Sequence, residues 1–413
     1  MKYALALVLL GLALPPTRLG AVTPPPRPSV SPERLQQLDR AITASVDQRQ
    51  HSGAIWLIAH EGKVVDCQAR GFRDLEKKLP MERDTICRIY SMSKIITSVA
   101  TLMLMEEGRL RLDAPVGDYL PEFKQMKVFK GGTAATPELI PAVRPITVKH
   151  LLTHTSGLIY DFDGGDALHQ LYQRAKLWDG TSLREFTAKV AALPLKFQPG
   201  DEWNYGINAD VLGALVEAVS GKPFEAFLTE RIFNPLGMKD TSFDVPASKM
   251  NRLAKTYKHG PDGKLIEAEP MLGTWTESGR GLAAGGSGLF STVDDYARFA
   301  QMLGNGGQLD GQRLLSRKMV ELMTANHLVT LPKSNHAFSP ANGWGLGVEV
   351  QLDLGRGSLP GTPGAFGWYG AATTYCRVDP KENLVAILFT QHFPFNEHKL
   401  FETFSTLYYG ALE

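Results

Sequence analysis

Strand-like runs sit at both ends of this chain and helix-like runs fill its middle. Gly53 to His60 and Lys63 to Ala69 are apolar, β-prone runs separated by Glu61-Gly62, which is a hairpin signal. Gly345 to Leu352, Ala365 to Trp368, Thr373 to Val378 and Leu384 to Gln391 are short runs of the same kind, broken by Gly, Pro or Asp. Between them the chain reads mainly as helices and long loops. Asn208 to Ser220 is apolar at helical spacing and stops at Gly221; Pro223 to Ile232 and Val293 to Leu303 are further helices. Helices are also predicted from Ser31 to Arg49, with Pro in the first turn, and from about Glu397 to Tyr409. The pattern predicts an α+β fold: one antiparallel sheet made from both chain ends and flanked by helices, with a mostly helical region inserted. The α/β part is expected at about 31–111 and 331–413, and the helical part at about 112–330.

Ser91-Met92-Ser93-Lys94 places a hydroxyl and an amine three residues apart, just before the apolar run Ile95 to Met105. If that run is a helix, ended by Glu107-Gly108, Ser91 and Lys94 share one face. Lys94 could then take the proton from Ser91, and the helix N-terminus would favour the anion that forms. Alone the pattern says little, since a chain of 413 residues should hold roughly one or two such matches by chance.

Other classes lose support. A formal net charge of +1 offers nothing to a nucleic acid or other polyanion. There is no H-E-x-x-H, C-x-x-C, phosphate loop or G-x-G-x-x-G, so no metal and no cofactor is expected, and no G-x-S-x-G elbow. Cys67, Cys87 and Cys376 are read as structural thiols. Met1-Lys2, the apolar run Tyr3 to Leu14 and the small residues Gly20-Ala21 read as a signal peptide over 1–21, followed by a proline-rich linker over 22–30. An exported protein, periplasmic or secreted and with no membrane anchor after cleavage, is the expectation. Its partner would be a small-molecule substrate; oligomeric state is not encoded.

A serine nucleophile needs a proton shuttle and oxyanion donors. Tyr205, in the loop Gln198 to Asn208, is a candidate shuttle at a cleft between the two regions. A charged Lys94 would favour its tyrosinate form; a neutral Lys94 would itself be the base. Phe366 to Thr374 carries glycines that let a ligand approach a strand edge. There the N–H of Ala371 could join that of Ser91 in holding an oxyanion.

These three stretches, in this order, resemble the penicillin-recognising serine hydrolases: class C β-lactamases, D-Ala-D-Ala carboxypeptidases and family VIII carboxylesterases. Gly71-Phe72-Arg73-Asp74, Gly108 to Val116, Leu151 to Leu158 and Gly285 to Thr292 extend the likeness over nearly all of the chain beyond the leader. The resemblance implies Ser91 as acylated nucleophile, Lys94 as its partner, Tyr205 as general base, and Trp368, Tyr369 and Gly370 as the third motif. It implies that His154 is a structural loop residue rather than a base. Two positions depart from the lactamase pattern. Ile207 stands where Tyr-x-Asn has its Asn, which leaves neighbouring Asn208 as the candidate for a substrate-binding amide. Trp368 stands where Lys or His would pair with a substrate carboxylate. An indole offers an apolar face to an acyl or alcohol group instead. The resemblance therefore points to a serine carboxylesterase for small or medium esters, with a β-lactamase, a D-amino-acid peptidase and an acyltransferase as the alternatives.

Overall fold

The structure is a computed structural model and describes residues 29–162, 164–180, 182–271, 281–329, 331 and 339–413. The signal peptide and most of the proline-rich linker lie outside the described residues. Eight strands form the central sheet. They are β1 (Gly53–His60), β2 (Lys63–Asp74), β3 (Leu79–Pro80), β4 (Asn342–Trp344), β5 (Glu349–Gln351), β6 (Phe366–Gly370), β7 (Thr374–Asp379) and β8 (Leu384–Thr390). Their spatial order is β4-β5-β6-β7-β8-β1-β2-β3. The two chain ends meet where β8 pairs antiparallel with β1, Leu57 opposite Ile387.

β1 is buried at every position because both faces of the sheet are covered. Ala54, Trp56 and Ile58 face the terminal helices α1 (Pro32–Asp47) and α5 (Leu400–Gly410), meeting Leu38, Ile42, Phe404 and Tyr408. Ile55, Leu57 and Ala59 belong to the larger core on the other side. The same alternation along β6 turns Trp368 inward and Tyr369 outward.

The inner face carries α2 (Ser93–Glu106), whose residues Ser93 to Leu104 are all buried. Against α2 lies α3 (Asn208–Ser220), apolar along its buried face and ended by Gly221 at φ 72°. α4 (Val293–Gly304) is capped by Thr292, whose side chain accepts the Asp295 N–H. It does not belong with the inserted helices, as the expected boundary near residue 330 implied. Its apolar stripe, Tyr296, Phe299, Ala300 and Leu303, is buried against the inner face of the sheet, with the Tyr296 ring 6.3 Å from that of Phe389. The middle region also holds strands the sequence did not reveal: a hairpin of Lys127–Gly132 with Pro137–Pro141, and Tyr257–His259 with Leu265–Glu267, which form a small sheet with His392–Phe393 of the C-terminal part. Among the described residues, no helix is long and apolar enough to cross a membrane.

Candidate active site

Ser91 sits in a tight 3₁₀ turn, Tyr90–Met92, that runs straight into α2. Tyr90 holds a left-handed φ of 43°, and its buried ring packs 5.7 Å from that of Phe393. Such a conformation persists only where the surroundings impose it. Here they do: Tyr296 of α4 donates to the Met92 carbonyl at 3.0 Å, and Leu289 N–H donates to Ser93 Oγ at 3.2 Å. The end of β6 presses on the same turn. A Cβ on Gly370 would stand 2.4 Å from the Ile89 carbonyl oxygen, so only glycine lets the strand come this close. This approach brings Ala371 to the cleft that Ser91 lines.

Lys94 is one helical turn on and 1% exposed. Its Nζ is 3.1 Å from Ser91 Oγ, 2.8 Å from Tyr160 Oη and 2.7 Å from the Gly286 carbonyl. It also lies 4.8 Å from the centre of the Tyr205 ring. Gly286 is fixed in turn, because its N–H donates to Asp210 Oδ1 at 2.8 Å. Asp210, on the first turn of α3, is fully buried, and that burial raises its carboxyl to about 6 against the opposing pull of Lys94.

Tyr205 stands among aromatic rings: His154 at 4.8 Å, Trp368 at 5.4 Å, Tyr160 at 5.6 Å and Trp203 at 6.2 Å. The Trp368 indole N–H donates to Tyr205 Oη at 3.0 Å. His154 is 2% exposed, and its Nδ1 meets the Asn208 amide at 2.8 Å. Burial first and the Lys94 charge second hold its imidazole well below the usual range. It is thus a neutral ring packed under Tyr205, 5.1 Å from Trp344.

Ser91, Lys94, Tyr205 and Trp368 therefore come together. Two expected substrate contacts do not. Asn208 is fully buried and its amide is engaged by His154 and Ser156, so it faces the packing between loop and helix rather than the cleft. The Tyr369 hydroxyl points to the other side of the sheet, donating to Glu349 at 3.1 Å and accepting from Arg377 at 2.9 Å. Its ring stacks 5.2 Å from Phe401, and only its flank reaches the cleft rim. Tyr160 is the site residue that sequence reasoning missed. It lies two residues past the Leu151–Leu158 stretch and looks there like one more apolar position. Burial raises its hydroxyl well above the ordinary tyrosine range, so it stays a neutral phenol beside Lys94.

The cleft above Ser91 has a volume of about 890 Å³. Tyr160, Phe162, Met271, Trp368, Phe393 and Phe395 make it largely apolar, while Lys258, His259, Glu267 and Glu269 supply a polar flank. The three thiols lie elsewhere and are unpaired. Burial pushes Cys67 up to about 11 and Cys87 and Cys376 up to about 12, which removes them as nucleophiles.

A family model described as Beta-lactamase matches residues 38–407. Protein Rv1367c of Mycobacterium tuberculosis is 35% identical over 351 residues, covering 83% of this chain and 86% of that protein. Esterase EstB of Burkholderia gladioli is 32% identical over 283 residues, 63% of this chain and 68% of the esterase. The solved structure of EstCE1, a hydrolase with promiscuous acyltransferase activity, superposes with a TM-score of 0.77 at 25% identity, covering 92% of this chain and 99% of that one. With a nucleophile turn, a buried lysine and a tyrosine gathered over one cleft, the chain belongs to the beta-lactamase family, as a serine hydrolase related to the family VIII esterases.

Proposed function

We propose that the protein is an exported carboxylesterase that cleaves small or medium acyl esters through an acyl-Ser91 intermediate. The observation that carries this reading is Trp368. Its indole lines an apolar cleft at the position where a carboxylate-binding cation would be needed for lactams or D-Ala-D-Ala peptides, and its N–H donates to Tyr205. A site without that cation binds a substrate carboxylate poorly.

Three oxygens, Ser91 Oγ, Tyr160 Oη and the Gly286 carbonyl, lie at hydrogen-bond distance from Lys94 Nζ, and in this reading the lysine is an ammonium that donates to them. That charge over the Tyr205 ring and the Trp368 donor at its oxygen both interact more strongly with a phenolate than with a phenol. In this reading Tyr205 takes the Ser91 proton as Oγ attacks the ester carbonyl. The N–H groups of Ser91 and Ala371 hold the resulting oxyanion. Tyr205 then passes the proton to the leaving alkoxide, and water repeats the sequence to release the acid. EstCE1 supports a second outcome of the same intermediate: where an alcohol replaces water, the product is a new ester.

Purified protein offered p-nitrophenyl esters, nitrocefin and a D-Ala-D-Ala peptide in parallel separates the readings. Ester turnover should exceed nitrocefin turnover by at least ~100-fold in kcat/KM and vanish in Ser91→Ala. Faster nitrocefin or peptide cleavage would replace the esterase reading. N-terminal sequencing of protein recovered outside the cytoplasm tests export: a start near Ala21 is expected, and an intact Met1 in purely cytoplasmic protein contradicts it.

A further inference from the structure

Four histidines and a glutamate gather beside the cleft, away from Ser91 and its partners. His392 Nε2, His259 Nδ1 and His398 Nε2 lie 2.9, 3.2 and 3.6 Å from a single atom, Glu397 Oε2. The candidate ligand atoms of these four residues all lie within 4.8 Å of one another. His51 is fully buried and packs edge-on against two of the rings, 5.0 Å from His392 and 5.5 Å from His398.

Hydrogen bonding satisfies only part of this cluster. His259 Nε2 sits 3.1 Å from the Arg49 carbonyl, an obligate acceptor, so it carries the proton. Its other nitrogen, Nδ1, faces inward to the Glu397 carboxylate at 3.2 Å. A backbone carbonyl holding one imidazole nitrogen while the other faces inward is the arrangement that orients metal-ligating histidines. Moreover, His51 Nδ1 and Nε2, His392 Nδ1 and His398 Nε2 are buried with no hydrogen-bond partner among the described residues. Leaving such groups unpaired is costly. A cation where His259 Nδ1, His392 Nε2 and His398 Nε2 converge on Glu397 engages the one of these orphan atoms that faces inward, His398 Nε2.

We propose that His259, His392, His398 and Glu397 bind one divalent transition-metal ion of the zinc class. Three imidazoles and a carboxylate without thiolates suit zinc and its neighbours rather than calcium or magnesium. A tetrahedral zinc site places ligand atoms roughly 3.4 Å apart. The three spacings to Glu397 Oε2 bracket that distance, and no two candidate ligand atoms are more than 4.8 Å apart. The ligands come from two separate segments, Tyr257–His259 and 392–398, which pair in parallel at His392 opposite Tyr257. Phe393, Pro394 and Phe395 between the ligands line the cleft, as does His259 itself. The ion would therefore staple the wall of the substrate cleft, a structural role distinct from the Ser91 chemistry.

The test uses untagged full-length protein stripped with a chelator and titrated with zinc chloride. One equivalent should bind, with imidazole scattering in the zinc X-ray absorption spectrum, and saturating zinc should raise the unfolding midpoint by at least ~2 °C. His398→Ala and Glu397→Gln should each weaken binding by at least ~10-fold, while their unfolding midpoints in chelator stay with that of the stripped wild type. A wild type that binds no stoichiometric zinc would overturn the proposal and leave a hydrogen-bonded histidine cluster. Unchanged zinc affinity in both variants would overturn it as well, by placing the ion elsewhere.

Discussion

Tyr205 and Tyr160 both approach Lys94, yet their surroundings divide the work between them. Tyr160 is 3% exposed and gives Lys94 an acceptor at 2.8 Å; Tyr205 opens to the cleft and receives the Trp368 N–H. Tyr205→Phe should lower kcat by about 10²–10⁴, the range for losing a general base. Tyr160→Phe removes one hydrogen bond to a charged group and should cost only about 10-fold. Steady-state kinetics on one ester compares them; equal losses would contradict the assignment. Asp210 supplies a test in pH. Its carboxyl is raised from 3.8 to about 6 in the folded protein. A raised carboxyl means that the stability gained by protonation is complete below about pH 4 and is lost as pH rises through 6. Asp210→Asn keeps an acceptor for Gly286 and removes the buried charge. Its stability relative to wild type should therefore climb by on the order of 3 kcal/mol between pH 4 and 7, read from denaturant midpoints; parallel curves would contradict it. At this scale Ser91 and Lys94 were legible because their relation is local, three residues on one helix. Tyr160 was not, since what makes it a site residue is contact with a lysine 66 positions away.

Strand period and close approach decide what β6 contributes. Trp368 and Tyr369 are adjacent in sequence but leave the strand on opposite faces. One reaches Tyr205, and the other joins the buried pair Glu349 and Arg377, 3.1 Å apart. The third motif is thus one inward side chain and a glycine, not three contacts. Gly370→Ala should push β6 off the nucleophile turn, because its Cβ would meet Ile89 O at 2.4 Å. A displacement of that kind should cost at least ~10² in kcat while circular dichroism stays that of the wild type; full activity would contradict the close approach. Six of the eight central strands were readable from their apolar runs to within a few residues, although β2 extends to Asp74 rather than Ala69; the short edge strands β3 (Leu79–Pro80) and β4 (Asn342–Trp344) were not. Asn208 misled because its position next to Ile207 suggested a substitute amide, whereas the first turn of α3 faces it toward His154 and Ser156.

The whole molecule is a sheet closed by its two chain ends, with a cleft where the inserted region meets it. That plan was legible because the strand runs cluster at the ends. The place of α4 was not, since an amphipathic stripe does not say which apolar surface it covers. Nor was the histidine cluster, assembled from residues 51, 259, 392 and 398, which share no spacing. If esters bind against the apolar lining of the cleft of about 890 Å³, chain length governs their turnover. Each acyl methylene buried there contributes about 0.8 kcal/mol, or roughly 4-fold in kcat/KM. Turnover should thus rise from p-nitrophenyl acetate to butyrate; a flat or falling series would contradict acyl binding against these rings. Covalent chemistry at Ser91 underlies all of these expectations for turnover. Its most direct test is intact-mass and peptide analysis of the protein quenched in acid during turnover of a slow ester. The expected result is one added acyl group on the peptide carrying Ser91, absent in Ser91→Ala. Acylation of any other residue, or turnover with no covalent adduct after rapid quenching, would contradict it.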